Sequence, residues 1–358
     1  MYSMSTLPLE LKDLIIDLIR GDKKAMASCG LVSRVWLHLS RPHLFGSVIL
    51  RDHTYKDFLR LKASRQCTFT PSIRTLSISR PEMDKLYGMD FTELIPKLAG
   101  FPSLTCLRVF HVCWTDLSAD SVNKFLAVFH DITELDIQNT TFEAPHHLIA
   151  LLARLPRLEK VTLQVVRLQR KYGYPSPFDS ILKWIAKGPP PIRTLRLSGI
   201  RPDELPDVGT HLRTLGPTLR DLDLHLVSST SSRTVTESLA PHLACLAHVA
   251  HLTVHVSLCE HKRHWKAYRA LLAALPHEPP ALETLTIFLE GRVYVNHIVF
   301  GHFNSTIRAH TRLRLLRISL QGGLYNSWEV KEFLRQIKPK FAARGGVELE
   351  VGLSNGEP

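Results

Sequence analysis

The stretch Ile192-Arg193-Thr194-Leu195-Arg196-Leu197 contains the pattern that decides the fold of this chain. Apolar residues occupy its first, fourth and sixth positions, and the last two alternate with a polar residue as in a half-buried β-strand. The pattern occurs nine times at intervals of 26 to 34 residues, beginning at Ile73, Leu104, Ile132, Leu158, Ile192, Leu219, Val249, Leu282 and Leu313. It also fits one step upstream at Phe45 and, weakly, one step downstream at Gly346. A return this regular indicates a structural repeat.

Each repeat joins a strand to a helical stretch, and this order predicts the architecture. Helices are predicted at 91–99, 121–129, 146–155, 178–186 and 265–275, each ending near a proline or glycine. A single strand and helix cannot cover their own apolar faces, so neighbouring repeats have to stack. Stacking predicts an α/β solenoid with parallel strands on a concave face and helices on a convex face. A doubly wound α/β sheet is the alternative, but no glycine-rich phosphate loop follows any of these strands.

The first 45 residues carry more apolar side chains than so short a segment can bury. Residues 11–19 place apolar side chains at helical spacing after Pro8, which fits the start of a helix. Gly21-Asp22 is expected to end this helix and cap the next, and a second apolar segment reaches Trp36. About 40 residues cannot enclose all of this surface alone. Part of it should therefore face another chain, or the segment is a helical cap over the solenoid.

The order of motifs in this segment resembles the F-box, the module that binds the Skp adaptor of SCF ubiquitin ligases. The motifs are Leu7-Pro8-x-Glu10-Leu11, an apolar helix, a turn, and Leu31-Val32-Ser33-Arg34-x-Trp36. Arg41-Pro42-His43-Leu44-Phe45 resembles the end of many fungal F-boxes, whereas Gly30 stands where the family usually has serine. The resemblance implies an F-box at residues 1–45. The adaptor contacts that it implies are Leu7, Pro8, Leu11, Ile15, Leu18, Leu31, Val32 and Trp36.

Residues 46–358 resemble leucine-rich repeats of the long type, in about ten irregular repeats. The asparagine that this family places after the strand is missing, with Pro81 and Thr140 at two of these positions. The two resemblances together imply a non-catalytic substrate receptor, with the adaptor joined to a cullin and the repeats holding an unidentified target protein. Two alternatives stay open: a repeat scaffold without a ligase role, and a basic protein associated with nucleic acid.

The strand residues that alternate with the buried ones should point to the concave face. The first column, between the two buried positions, comprises Ser77, Arg108, Asp136, Thr162, Arg196, Asp223, Thr253, Thr286 and Arg317. The second column, just after the last buried position, comprises Ser79, Phe110, Gln138, Gln164, Ser198, His225, His255, Phe288 and Ser319. Asp136 and Asp223 interrupt the positive charge that a nucleic-acid groove needs, so nucleic acid is not the favoured ligand.

The loops leaving the strands combine cations with aromatic side chains, residue types that dominate protein interfaces. Residues 170–174, 261–265 and 325–328 have this composition, and Cys113-Trp114 lies on an earlier loop of the same rim. We therefore predict that the rim and the concave face bind a target protein. The predicted contacts are Arg108, Phe110, Arg170, Lys171, Tyr172, Tyr174, Arg196, His225, His255, Phe288, Arg317 and Tyr325.

Composition narrows the class of protein further. The net charge of +12 is spread along the chain without a Lys/Arg run of five, which favours solubility over nucleic-acid binding. No apolar run approaches the ~18 residues of a membrane span, and the N-terminus lacks the features of a secretory signal. Six cysteines scattered over 358 residues indicate reduced thiols. We expect a protein of the cytoplasm, the nucleus or both.

The sequence offers no recognisable catalytic chemistry. Cys259-Glu260-His261 with His264 resembles a metal cluster, but no second cysteine pair has the spacing of a zinc site. The motifs GxSxG, HExxH and the Walker loop do not occur. We therefore expect no catalytic residue, metal or cofactor in this chain.

Overall fold

Three helices and an extended parallel sheet follow one another along the chain. The computed structural model describes residues 7–51, 53–79, 91–142, 145–168, 191–200, 208, 212, 214–226, 246–257, 282–290, 312–321, 335 and 348–354. The N-terminal helices are α1 (Leu9–Ile19), α2 (Lys23–Gly30) and α3 (Arg34–Phe45). Among the described residues, no helix is both long and apolar enough to cross a membrane.

The sheet has eleven strands in chain order, and every neighbouring pair is parallel. The strands are β1 (Ser47–Leu50), β2 (Thr75–Ser79), β3 (Cys106–Phe110), β4 (Glu134–Phe142), β5 (Lys160–Leu168), β6 (Thr194–Ile200), β7 (Asp221–Leu226), β8 (His251–Ser257), β9 (Thr284–Glu290), β10 (Leu315–Gln321) and β11 (Glu348–Ser354). The prediction of a strand at each return of the pattern is confirmed, including the weak matches at both ends. The chain is an α/β protein whose sheet is compatible with a solenoid of repeats.

Helices connect the strands in the N-terminal half of the sheet. They are α4 (Tyr55–Ala63), α5 (Phe91–Lys97), α6 (Ala119–Val128) and α7 (Pro145–Ala153). The last three agree with the helices predicted at 91–99, 121–129 and 146–155 to within two residues. The helices predicted at 178–186 and 265–275 lie outside the described residues.

The main core lies on the face of the sheet that α5 to α7 cover. The fourth residue of each repeat pattern is at most 1% exposed, namely Leu76, Leu107, Leu135, Val161, Leu195, Leu222, Leu252, Leu285 and Leu316. Phe91, Phe125 and Leu151 from the helices belong to the same cluster. Trp114, expected on the binding rim, is fully buried there and stacks on Phe142 with ring centroids 5.3 Å apart. Its large apolar area packs between helix and strand, where burial is most favourable.

The N-terminal helices have a small core of their own. Ile16, Met26 and Trp36 are at most 4% exposed and form a cluster separate from the main one. Asp22 caps α2 as the sequence predicts, since its side chain accepts hydrogen bonds from the backbone N–H of Lys24 and Ala25. These helices therefore form a compact unit joined to the sheet through α3 and β1.

Candidate functional site

A groove of about 600 Å³ crosses the sheet from β3 to β10, on the face opposite the main core, called the open face below. Of the two columns predicted from the sequence, all members line the groove except Ser77, Ser79, Phe110 and Ser319. Consecutive members of each column are direct register partners on neighbouring strands. Parallel pairing without a shift keeps residues of one repeat position in line, so residues far apart in sequence form a continuous surface.

Ion pairs follow one rule along the first column. An arginine on one strand pairs through Nε with a carboxylate on the next strand. The Nε-to-oxygen distances are 3.8 Å for Arg108–Asp136, 2.7 Å for Arg196–Asp223 and 2.6 Å for Arg317–Glu350. The three arginine side chains are 48 to 62% exposed, so their guanidinium groups remain accessible from the groove. The arrangement presents alternating charge to a ligand.

Asp223 and Asp136 differ electrostatically although they occupy equivalent positions. Burial pushes the pKa of Asp223 up, but the hydrogen bond and charge of His255, together with Arg196, outweigh it and hold that pKa below its usual value. Burial likewise raises the pKa of Asp136, and there the hydrogen bonds from Gln138 and the charge of Arg108 offset it only in part. The Asp136 pKa therefore stays above its usual value.

The second column carries a stack of rings on three successive strands. The ring centroids of His225 and His255 are 5.2 Å apart, and those of His255 and Phe288 are 4.5 Å apart with planes inclined by 10°. Ser198 Oγ lies 3.3 Å from His225 Nδ1 at one end of the stack. The distance between neighbouring strands is close to the distance between stacked rings, so side chains at one register position can stack. The stack forms one wall of the groove.

A row of left-handed residues, absent from the predictions, borders the groove at β3 to β6. His111, Asn139, Val165 and Gly199 have φ of 58°, 49°, 51° and 71° and directly follow register partners of the second column. Such backbone is rare for a β-branched residue like Val165. Strands β4 and β5 stay in register on both sides of Asn139 and Val165, and Asn139 is exposed. At Gly199 the pairing of β6 with β7 shifts by one residue, as in a β-bulge. Gly199, an isolated glycine within a strand pattern, is the sequence feature from which an irregularity at this row could have been predicted.

The structure brings seven of the predicted target contacts onto the open face. Six of them line the groove: Arg108, Arg196, His225, His255, Phe288 and Arg317. Phe110 is half-buried in the second column next to Gln138. The remaining predicted contacts, Arg170, Lys171, Tyr172, Tyr174 and Tyr325, lie outside the described residues. In the part of the chain that is described, no group of three or more His, Cys, Asp and Glu residues is arranged to hold a metal ion.

A second candidate surface lies on the N-terminal helices. Of the predicted adaptor contacts, Pro8 is exposed, and Leu11, Leu18, Leu31 and Val32 are 45%, 78%, 89% and 56% exposed. Leu7 and Ile15 are half-buried.

Trp36 is 4% exposed and packs inside the unit, so it supports the helices from within. The predicted adaptor contacts do not include Leu14, which the sequence placed in the apolar stripe of the first helix, or Val35; these side chains are 55% and 42% exposed. The N-terminal apolar surface is defined here as Leu11, Leu14, Leu18, Leu31, Val32 and Val35. Their exposure is unusual because large aliphatic side chains are commonly buried.

Comparison with known proteins finds sequence similarity over a short stretch of the chain. No protein-family model matches the chain. A stretch of 75 residues, 20% of this chain, is 32% identical to the Saccharomyces cerevisiae protein "Antagonist of mitotic exit network protein 1". This stretch spans 14% of the yeast protein.

Proposed function

We propose that this chain is the substrate-recognition subunit of an SCF-type ubiquitin ligase. In this proposal residues 1–45 are an F-box that binds the Skp adaptor, and residues 46–358 are leucine-rich-repeat-like units that bind a target protein. The adaptor connects the chain to a cullin, and catalysis belongs to other subunits. The chain contributes proximity and specificity, in the cytoplasm, the nucleus or both.

The observation that carries the proposal is the N-terminal apolar surface. Leu18 and Leu31 expose 78% and 89% of their area although the same helices bury Ile16, Met26 and Trp36. A unit that has closed its own core and still exposes this much aliphatic surface is suited to a protein partner. Leu11, Leu14 and Leu18 recur at helical spacing and share one face of α1. These positions include motif residues of the F-box resemblance.

The open face supports the second half of the proposal. Its mixture of paired charges, amides and stacked rings offers the hydrogen-bond donors, acceptors and aromatic surface typical of protein recognition. The nucleic-acid alternative has less support, because each first-column arginine faces a carboxylate on the next strand. The scaffold alternative shares the protein-binding open face but joins an adaptor complex without a cullin, or no adaptor complex at all.

Coexpression of the full chain with the Skp adaptor of the same organism tests the proposal. Size exclusion should show a stoichiometric complex that Leu18→Asp and Leu31→Asp abolish. Both side chains are exposed, so these substitutions act on the surface and leave the core intact. Leu61→Asp is the matched control, since Leu61 is 60% exposed on α4, outside the N-terminal unit.

Cullin added to the purified complex separates the two remaining roles. Joint elution of cullin, adaptor and chain supports the receptor. An adaptor complex that excludes cullin supports the scaffold alternative. A chain that folds but binds no adaptor, or binds it equally as Leu31→Asp, contradicts the F-box assignment.

A further inference from the structure

The first column contains the same three residue types on three successive strands twice, and only the second copy has a histidine beside its aspartate. Arginine, aspartate and threonine follow one another on β3, β4 and β5, and again on β6, β7 and β8. In the second copy, His255 from the second column of β8 brings Nε2 to 3.2 Å from Asp223 Oδ1. The equivalent position in the first copy, on β5, is Gln164, which is exposed and uncharged. Among the described residues, the first copy thus lacks the histidine nitrogen that the second copy places beside its aspartate.

Within the part of the chain that the structure describes, Asp136 consequently has few partners for its degree of burial. Its side chain is 18% exposed, and Gln138 Nε2 lies 3.0 Å from both of its carboxylate oxygens. Arg108 Nε stays 3.8 Å from Oδ2, beyond the range of a good hydrogen bond. A carboxylate accepts about four hydrogen bonds, so this group has capacity for further donors. The raised pKa of Asp136 agrees with this, since burial outweighs the charges around it.

Two neighbouring cationic side chains are paired elsewhere and do not use the remaining hydrogen-bonding capacity of the Asp136 carboxylate. Lys160 Nζ lies 3.3 Å from Glu134, and Arg196 Nε lies 2.7 Å from Asp223. Each of them therefore has a carboxylate of its own. Among the described residues, Arg108 is the remaining cation beside Asp136, and its side chain is 49% exposed, with Nε 3.8 Å from Oδ2.

We propose that Asp136 binds a cationic side chain, lysine or arginine, of the protein segment that occupies the groove. The inference rests on the function proposed above and names one chemical feature of the target. Charge-assisted hydrogen bonds to a carboxylate are among the strongest in proteins, and a partly buried site strengthens them. Gln138 and Gln164 lie beside Asp136 and offer amide groups to the backbone of the same segment. The incoming cation supplies the second hydrogen-bond partner that His255 supplies to Asp223.

Peptide display tests the inference with the target still unidentified. Random peptides on phage are selected on the full chain, and the enriched peptides are synthesised for affinity measurement by fluorescence anisotropy. The expected result is a lysine or arginine at one shared position and a loss of affinity of about tenfold or more on Asp136→Asn. Asp120→Asn is the matched control, because Asp120 is 70% exposed on α6, outside the groove; it should change affinity less than about twofold.

A second change on the peptide shows whether the cation itself meets Asp136. Replacing the shared lysine by acetyl-lysine, or the arginine by citrulline, should weaken binding to the wild-type chain about as much as Asp136→Asn does. The two changes together should cost little more than either alone. A melting temperature of Asp136→Asn that is at least equal to that of the wild type verifies that the variant is folded.

Three outcomes overturn the inference. Enriched peptides without a shared cation, or equal affinity for Asp136→Asn, contradict it and leave the target-binding role standing. A selection that enriches no peptide contradicts both the inference and the groove as a protein-binding site. Adaptor binding is measured separately, so loss of adaptor binding with a retained cation preference removes only the ligase role.

Discussion

Arg196 donates from Nε to Oδ2 of Asp223 across 2.7 Å and thereby links β6 to β7 at the centre of the open face. The two residues are direct register partners 27 positions apart in the chain. His255 approaches the other oxygen of the same carboxylate from β8. Three successive repeats are thus joined through one half-buried carboxylate, so this triad affects the stability of the sheet as well as its surface.

Replacing each of the two equivalent aspartates by asparagine should affect stability differently. Asp223→Asn removes a carboxylate that is 15% exposed and paired on both sides, and we expect a loss of about 1–3 kcal/mol in the free energy of unfolding at pH 7. Asp136→Asn removes a charge that burial disfavours, so we expect unchanged or greater stability. Urea unfolding of both variants measures the difference. A similar loss in both contradicts the contrast between the sites.

The pH dependence follows from the sign of each pKa change. The folded-state pKa of Asp223 lies below its ordinary value of 3.8, so its stabilisation is present above that value and is lost as pH falls through the folded pKa. Asp136 has the opposite sign: its contribution is lost as pH rises through its raised folded pKa. The stability difference between wild type and Asp223→Asn should therefore shrink below about pH 4, which unfolding curves across pH measure. A difference independent of pH would count against the pairing.

Gly199→Ala should destabilise the sheet at the left-handed row. A Cβ on Gly199 would lie 2.8 Å from Val165 Cγ2, and φ of 71° is unfavourable for alanine. We expect a loss of about 1–3 kcal/mol. Val165→Ala removes the clashing methyl, so the double variant should lose less than the sum of the single losses in denaturant titrations. Simple additivity would show that contact between these residues is unimportant.

Thr140→Val should stabilise the protein by about 1 kcal/mol. Thr140 is 1% exposed, and among the described residues its hydroxyl has no hydrogen-bond partner. Valine keeps the shape and removes a buried polar group whose solvation is lost. Thr140→Ser is the control, since it keeps the hydroxyl and deletes a methyl, and it should destabilise. Calorimetric melting of both variants gives the comparison, and a lower melting temperature for Thr140→Val would contradict the expectation.

Trp36→Ala should unfold the N-terminal helices without unfolding the sheet. Trp36 is 4% exposed within the small core, so its truncation should cost about 3–5 kcal/mol there. Leu31→Ala at an 89% exposed site should change stability by less than about 0.5 kcal/mol. Limited proteolysis should cleave the first variant within residues 7–45 and spare the rest. Simultaneous loss of the strands would show that the two cores unfold together.

The amino-acid sequence was sufficient to place the strands and the two columns of the open face. Alternation with a period of two assigns each residue to a face, and a near-constant repeat length keeps the register. Arg108, Asp136, Arg196 and Asp223 are therefore assigned to one column by the repeat pattern alone. Helices α5, α6 and α7 were also predicted to within two residues, because their apolar spacing is regular, whereas α4 was not predicted.

The tertiary structure alone decided which of these residues act together. Trp36 and Leu31 are equally apolar in the sequence, yet one fills a core and the other is exposed, since burial depends on how three helices cross. Asp136 and Asp223 are equivalent in the repeat, yet their pKa values move in opposite directions. Burial dominates at Asp136, whereas His255 from the neighbouring strand and Arg196 outweigh burial at Asp223. Local patterns specify faces and periods, whereas charge pairing and exposure depend on distances between residues remote in the chain.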